Sequence, residues 1–352
     1  MSGIAEKERT TRALALLSGG LDSLLAIKVV LEQGVEVEAL NFVSVFCTCT
    51  PKGSSCSAAR SAAQQLGIDV KTVNTSKEFL DIVRNPKHGY GRNLNPCLDC
   101  RILMFRTAHA RLEEAGASFV VTGEVLGERP MSQRREAMAL IEREAGLAGL
   151  IVRPLSAALL EPSIPEQKGW VDRKRLLSIR GRSRKPQIKL ARDYGLTDYP
   201  CPAGGCLLTD AGFAGRMWDL MKHEPGFALS DVQLLKHGKH FRLSPGAKAI
   251  VGRDEEDNRM LSALAGERDR LLEVVADTGP LTVVRGSPSR EDLLAAAAIT
   301  ARYSHARTRG GVRVRIMEKA GVGGEVVEVS PATEEYLAAV RIGILSRAEK
   351  RA

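Results

Sequence analysis

No stretch of the 352-residue chain reaches the ~18 unbroken apolar residues of a membrane span, so the sequence predicts a soluble protein with no membrane partner. Its charged opening, MSGIAEKERTTR, leads into an apolar stretch that stops at once in Ser18-Gly19-Gly20. The apolar core and small-residue cleavage site of a secretion signal are missing, and a cytoplasmic location is expected. An even set of cysteines is also missing: seven thiols in such a chain argue against a disulfide framework and for thiol or metal chemistry. The six histidines show no ligand spacing, and no internal repeat or low-complexity tract occurs.

What is present is a globular composition, 44% hydrophobic and 26% charged, long enough for about two domains of ~150 residues. The formal charge is +9, and residues 129 to 192 alone hold 15 Lys/Arg against 6 Asp/Glu, an excess of nine that accounts for the whole imbalance. So concentrated a field suits a polyanion, above all nucleic acid, because neutralising phosphates releases counterions. A solvated basic face without a partner is the plainer reading.

Strand-like and helix-like runs alternate from Ala13: ALALL, LDSLLAIKVVLEQG, VEVEALNFV, a helix near Ser57 to Leu66, IDVKTV, a helix over about Leu98 to Ala115, SFVVTG, a helix near Met131 to Ala145, and LIVRPL. Such alternation predicts an α/β domain with a doubly wound parallel sheet over residues 1–160. Residues 161–236 read as a basic connecting region rich in Pro, Gly, Arg and Lys, with a short helical stretch at VDRKRLLSI. From 237 to 330 the strands HFRLS, KAIVG, LLEVV, LTVVRG, VRVRIM and GEVVEV, with helices around Asp254 to Ala265 and Arg290 to Tyr303, predict a smaller α+β domain with a mostly antiparallel sheet. Residues 331–352 read as a C-terminal helix or tail.

Ser18-Gly19-Gly20-Leu21-Asp22-Ser23 follows the first strand and opens a helix. Glycine lets backbone approach phosphate, and the N–H groups of a loop and helix N-terminus supply donors and positive dipole. The Asp22 carboxylate would repel phosphate unless it bound Mg2+, so a magnesium-bridged pyrophosphate is the natural ligand. The Gly-Lys-Ser/Thr ending of a Walker loop is absent, which favours cleavage between the α- and β-phosphates over γ-phosphate transfer. A plain strand-to-helix turn is the alternative. Cys97 and Cys100 stand at a helix start, where the dipole lowers a thiol's pKa and where two thiolates can share a metal, a cluster or a redox bond. Cys201 and Cys206 lie in a Pro/Gly loop; Cys47, Cys49 and Cys56 read as an incomplete zinc site, a persulfide relay, or ordinary loop residues. Asp99, between the first pair, reads either as a proton-steering group or as a helix N-terminal carboxylate.

The string SGGLDS resembles the signature of the PP-loop ATP pyrophosphatases, which activate an oxygen by adenylation and then replace AMP with a nucleophile. The resemblance covers roughly residues 12 to 155 and implies ATP and Mg2+ as cofactors, held by Ser18, Gly19, Gly20, Asp22 and Ser23. Thr122-Gly123-Glu124 looks like a segment that lies near the nucleotide in these enzymes, which implies a binding role for Gly123; many thiolating members have histidine where Glu124 stands. Together with the PCxxC-like pair and a distant third cysteine, the chain resembles the tRNA-thiolating branch. That resemblance implies catalytic roles for Asp22, Cys97, Cys100 and Cys206, with the three thiols holding a [4Fe–4S] cluster; zinc or persulfide chemistry are the alternatives, and Cys201 is the competing third ligand.

In the C-terminal region, HFRLS, IVGRDEEDN and AAAITARYSHAR resemble the NFACT-R domain, an RNA-binding module. Arg242, Lys248, Arg253, Arg302, Arg307, Arg309, Arg313 and Arg315 are the candidate phosphate contacts, and Tyr303 is nearly alone as a stacking aromatic. The reading implied is a tRNA sulfurtransferase with tRNA and a sulfide or persulfide donor as partners. The N-terminal tRNA-binding region of 4-thiouridine synthases and the C-terminal β-barrel of 2-thiouridylases are both unrecognised here, which leaves 2- and 4-thiouridine open. Two alternatives are another PP-loop adenylating or amidating reaction and a non-catalytic RNA-binding or ribosome quality-control factor.

Overall fold

The computed structural model describes residues 11–48, 55–199, 205–319 and 323–344, the side chains of Ser55 and Cys56 excepted. The chain forms two compact units, Met1–Leu207 and Leu208–Ala352.

In the first unit the order is β1 (Arg12–Leu16), α1 (Leu21–Leu31), β2 (Glu36–Val43), α2 (Ser55–Leu66), β3 (Val70–Asn74), α3 (Ser76–Arg84), α4 (Cys97–His109), β4 (Phe119–Thr122), α5 (Arg135–Ala145), β5 (Ile151–Val152), α6 (Ile164–Gln167) and α7 (Lys185–Asp193). The five strands are parallel, in the order β3-β2-β1-β4-β5. β1 is apolar at every position from Ala13 to Leu16 because helices cover both faces. Its alternate residues divide the core: Ala13 and Ala15 join α1 and α2 on one side, while Leu14 and Leu16 meet Ile102, Phe105 and Ile141 of α4 and α5 on the other. The chain leaves β1 for β2 on one flank and reaches β4 on the other, so the topological switch falls between β1 and β4, the place where open α/β sheets bind ligands beyond their strand ends.

Two expectations are corrected locally. The VDRKRLLSI stretch forms only a 3-10 turn, Arg173–Arg175, whose Lys174 N–H donates to the Asp172 carboxylate at 2.9 Å. Its buried residues, Val171 and Leu176, are five apart and do not share a helical face. The helix expected from Met131 starts at Arg135, because Gln133 holds residues 127–133 in a turn: Gly127 N–H donates to its carbonyl at 2.7 Å and Arg129 N–H to its side-chain oxygen at 3.0 Å. α3 was not expected at all.

The second unit contains α8 (Ala211–His223), α9 (Leu229–Leu234), β6 (Lys239–Ser244), β7 (Ala247–Val251), α10 (Glu255–Leu264), β8 (Arg270–Val274), β9 (Thr282–Gly286), α11 (Arg290–Arg302), β10 (Val312–Glu318), β11 (Glu325–Val329) and α12 (Glu334–Val340). Its six strands are antiparallel throughout, in the order β11-β10-β8-β9-β7-β6. The small buried face of α11, Ala296, Ala297, Thr300 and Ala301, lets the helix sit close to the sheet, where Thr300 Oγ1 donates to Thr282 Oγ1 at 2.8 Å. Among the described residues, no helix is long and apolar enough to cross a membrane.

Candidate nucleotide and thiol site

At the switch point the SGGLDS loop lines a cleft of about 630 Å3 together with Thr122, Gly123, Arg101, Glu128 and Arg129. The loop is clamped from two sides. A β-carbon on Gly123 would lie 2.5 Å from the backbone of Asp22 and Ser23, and one on Gly19, whose φ is +80°, would lie 2.6 Å from the backbone of Ala58 in α2. Both glycines are therefore steric requirements of the loop. Ser23 Oγ donates to the Gly20 carbonyl at 2.8 Å and accepts from Ser18 N–H at 3.3 Å, so these hydroxyls brace the loop from within. Gly20 caps α1 without a side-chain acceptor, which leaves the first N–H groups of that helix turned to the cleft as anion donors.

Asp22 is half-buried beside Arg184, 3.6 Å away, and its Oδ1 is buried with no hydrogen-bond partner. Burial raises its carboxyl above the ordinary value, against the pull of Arg184, Gln187 and Arg129. Glu128 is raised as well, by burial and then by the Asp22 charge. Two carboxylates that repel each other, one with an orphaned oxygen, fit Mg2+, which takes one or two carboxylates and completes its octahedron with water and substrate phosphate.

Arg101 and Arg129 add positive charge to the same cleft. Arg101 Nε is 3.2 Å from Glu124 Oε1, and Glu124 is fully buried against Arg153 Nε at 3.0 Å, with Arg153 also paired to Glu142. Glu124 is thus the anchor of a buried charge network whose one arm reaches the cleft. Sequence reasoning passed over Arg101, Glu124's partners, Glu128, Arg129 and Arg184, because they converge from separate elements; the adjacency of Arg101 to Cys100 was the available signal.

Cys97 and Cys100 occupy the first turn of α4, the helix that also contributes Arg101 and Met104 to the cleft. The expected dipole effect does not prevail. Burial raises the Cys97 thiol, opposed by Arg129 and Arg101, and pushes Cys100 up to about 12, with the neighbouring Cys97, Cys47 and Asp99 adding to it. Asp99 accepts a hydrogen bond from His88 N–H at 3.0 Å, so its carboxylate ties down a neighbouring loop. Cys206 stands across an antiparallel bridge from Cys47. Cys49 and Cys201 lie outside the described residues, as does the side chain of Cys56. Among the described residues, no three His, Cys, Asp or Glu side chains stand close enough together to hold a metal ion. Cys97, Cys100 and Cys206 as placed therefore do not form a ready ligand set for a cluster or zinc.

Of the 15 basic residues between 129 and 192, twelve are exposed, Arg173 and Arg184 are half-buried and Arg153 is buried. The run from Arg180 to Lys185 pairs with the segment after β4, where Arg180 is bridged to Leu126 and Gly181 N–H donates to the Leu126 carbonyl at 2.7 Å, and it touches the cleft through Arg184, 3.6 Å from Asp22. In the second unit, several candidate phosphate contacts are committed elsewhere. Arg242 is paired with Asp219 at 2.7 Å, Lys248 is buried 3.6 Å from the same carboxylate, and Arg253, Arg302, Arg309 and Arg315 pair with Asp257, Glu334, Asp277 and Glu273. Arg307 and Arg313 are exposed without an ion pair among the described residues. The Tyr303 ring is covered by the Lys239 ammonium, 3.9 Å from its centre.

Comparison with known proteins matches residues 9–160 to the family described as thiamine biosynthesis protein (ThiI) and residues 238–340 to the NFACT protein RNA binding domain. The chain is 32% identical over 126 residues to the tRNA-specific 2-thiouridylase MnmA of Syntrophotalea carbinolica, covering 33% of this chain and 35% of that protein. To the enzyme of the same name from Lactococcus lactis subsp. lactis it is 22% identical over 344 residues, covering 87% and 85%. Among solved structures, the U34-tRNA thiolase NcsA from Methanococcus maripaludis with its [4Fe-4S] cluster is 19% identical, with a TM-score of 0.33, over 65% of this chain and 73% of that one. The first match thus spans about a third of its relative's length. Two family models thus match separate parts of the chain, the ThiI description over residues 9–160 and the NFACT RNA-binding-domain description over residues 238–340.

Proposed function

We propose that the protein is an ATP-dependent tRNA sulfurtransferase that replaces a uridine carbonyl oxygen with sulfur, giving 2- or 4-thiouridine. One observation carries this reading: α4 supplies both the wall of the nucleotide cleft, through Arg101 and Met104, and two thiols, Cys97 and Cys100, four residues and one residue before that arginine. The 2-thiouridylase relatives and the ThiI match point the same way.

In this reading the loop N–H groups and the α1 N-terminus hold the ATP phosphates. Asp22, with Glu128, holds Mg2+, which supplies neutralising charge for the departing pyrophosphate. The uridine C2 or C4 oxygen attacks the α-phosphorus, the bond to pyrophosphate breaks, and the base is left adenylated. Adenylation is needed because an amide-like oxygen is a poor leaving group. Sulfide then attacks the same carbon and AMP leaves; where the sulfur arrives as a persulfide, its outer sulfur attacks, AMP leaves, and a second thiol cleaves the S–S bond, which releases the thiouridine and forms a disulfide that an external dithiol reduces. Cys97, Cys100 and Cys206 are assigned to handling that sulfur. Arg101 and Arg129, which oppose the rise of the Cys97 thiol's pKa, favour its anionic form. The exposed basic residues of 129–192 are assigned to the tRNA backbone.

The test is sulfur incorporation: full-length protein with tRNA, MgATP and sulfide under anaerobic conditions, followed by nucleoside mass spectrometry. One thiolated uridine, lost with Cys97→Ala, is expected. Pyrophosphate release without sulfur incorporation into any tRNA would move the assignment to another PP-loop reaction, and RNA binding with no pyrophosphate release to a non-catalytic RNA-binding factor.

A further inference from the structure

The bridge between Cys47 and Cys206 joins residues far apart in sequence through a specific hydrogen-bond pattern. Leu207 N–H donates to the Phe46 carbonyl at 2.8 Å and Thr48 N–H to the Gly205 carbonyl at 3.2 Å. These bonds flank the two cysteines and do not join them, which makes Cys47 and Cys206 a non-hydrogen-bonded antiparallel pair. In such pairs the Cα atoms stand about 4.5 Å apart and the side chains leave on the same face of the ladder. A disulfide spans Cα separations of about 4.4–6.8 Å. Backbone paired in this way can accept a disulfide without moving. The Cys47 sulfur is also held in place, accepting from Ser44 N–H at 3.3 Å. Both cysteines are half-buried, so a small oxidant has access.

We propose that Cys47 and Cys206 are a redox pair that closes a reversible disulfide across this bridge. The two thiols give up two protons and two electrons to a low-molecular-weight disulfide, which leaves as two thiols; an external dithiol reverses the exchange. Formation of the bond depends only on the bridge. Its consequence rests on the sulfurtransferase reading, because the closed bond removes Cys206 from the thiols assigned to handle sulfur and leaves Cys97 and Cys100 reduced.

The experiment is disulfide mapping on the full-length protein. Protein treated with oxidised glutathione, blocked with an alkylating agent and digested without reduction should yield a peptide linking Cys47 to Cys206 as the main disulfide of Cys206. Dithiothreitol should remove it. The link should be lost in Cys47→Ser and kept in Cys49→Ser and Cys201→Ser. Finding Cys206 joined to Cys201, Cys97 or Cys100, or no disulfide at Cys206 in the wild-type chain, would overturn the pair. Sulfur incorporation is measured on the same oxidised sample. If the mapped bond is present and incorporation continues, the pair stands and the sulfur-handling role of Cys206 fails.

Discussion

The two units treat charge in opposite ways. In the second, arginines are matched to carboxylates: Arg285 to Asp231 and Asp269, Arg290 to Glu325, Arg302 to Glu334, Arg315 to Glu273. In the first, the charge beside the cleft is left incomplete. Asp22 keeps an orphaned oxygen, Glu128 is raised by burial and then by its neighbour's charge, and Arg184, from the basic run 180–185, stands 3.6 Å from Asp22. Charges that satisfy one another build structure, whereas charges held short of satisfaction are completed by something that arrives. On this measure the parallel sheet holds the place proposed for the reacting ligand, and the antiparallel sheet offers a largely neutralised surface.

Glu124 is where that division is most exposed to attack, because the first unit also holds a buried ion-pair network, Arg101–Glu124–Arg153–Glu142. Glu124→Ala leaves Arg153 buried against a single remaining partner, and the expected loss is about 3–5 kcal/mol of stability, read by denaturant unfolding. A loss below about 1 kcal/mol would mean that the network is not structural. Asp22→Ala removes the carboxylate with the orphaned oxygen. Magnesium-dependent pyrophosphate release should fall by about 100-fold, with the unfolding midpoint unchanged or raised; retained release would remove Asp22 from the metal.

In the second unit the contrast can be read by pH. Lys248 is held down to about 8 from its ordinary 10.5, chiefly by burial and against the attraction of Asp219. Below about 8 the lysine is protonated in both folded and unfolded chains, and pH has no leverage through it. Between about 8 and 10.5 the unfolded chain keeps a proton that the folded one has released, so stability from this group rises with pH, by at most about 1.4 kcal/mol per pH unit. Lys248→Met should flatten that slope. A wild-type slope that the variant leaves unchanged would assign it to another group. The smallest effect is expected from Arg182→Ala in the exposed run: a few-fold weaker tRNA binding and a salt dependence reduced by about one counterion. An equal loss from Arg315→Ala, a paired arginine of the second unit, would erase the distinction.

Much of this was legible before the fold. The first five strands follow from apolar runs bounded by turn residues, and the loop from glycine at a strand-to-helix junction. Periodicity failed where burial did not follow a helical face, as at Val171 and Leu176, and where one side chain fixed a turn, as at Gln133. In the site, the residues within a single motif were readable. The partners supplied by the rest of the sheet were not: Arg184 reaches Asp22 from the N-cap of α7, and Cys206 reaches Cys47 from 159 positions away, distances over which no local pattern carries information. The thiol pKa values were misjudged for a related reason, since a helix start is visible in sequence and the packing that outweighs its dipole is not.

The loop pinned between Gly123 and Ala58 has a thermodynamic consequence. A phosphate loop that must be ordered by its ligand spends part of the binding free energy on that ordering, at about 1–2 kcal/mol per residue fixed. Here backbone on both sides has already removed that freedom, so the entropy was given up when the sheet folded. On the proposed reading the affinity available from the nucleotide's phosphates is then left for the chemistry, and amide exchange in residues 18–23 should be slow before ATP is added and little changed after it.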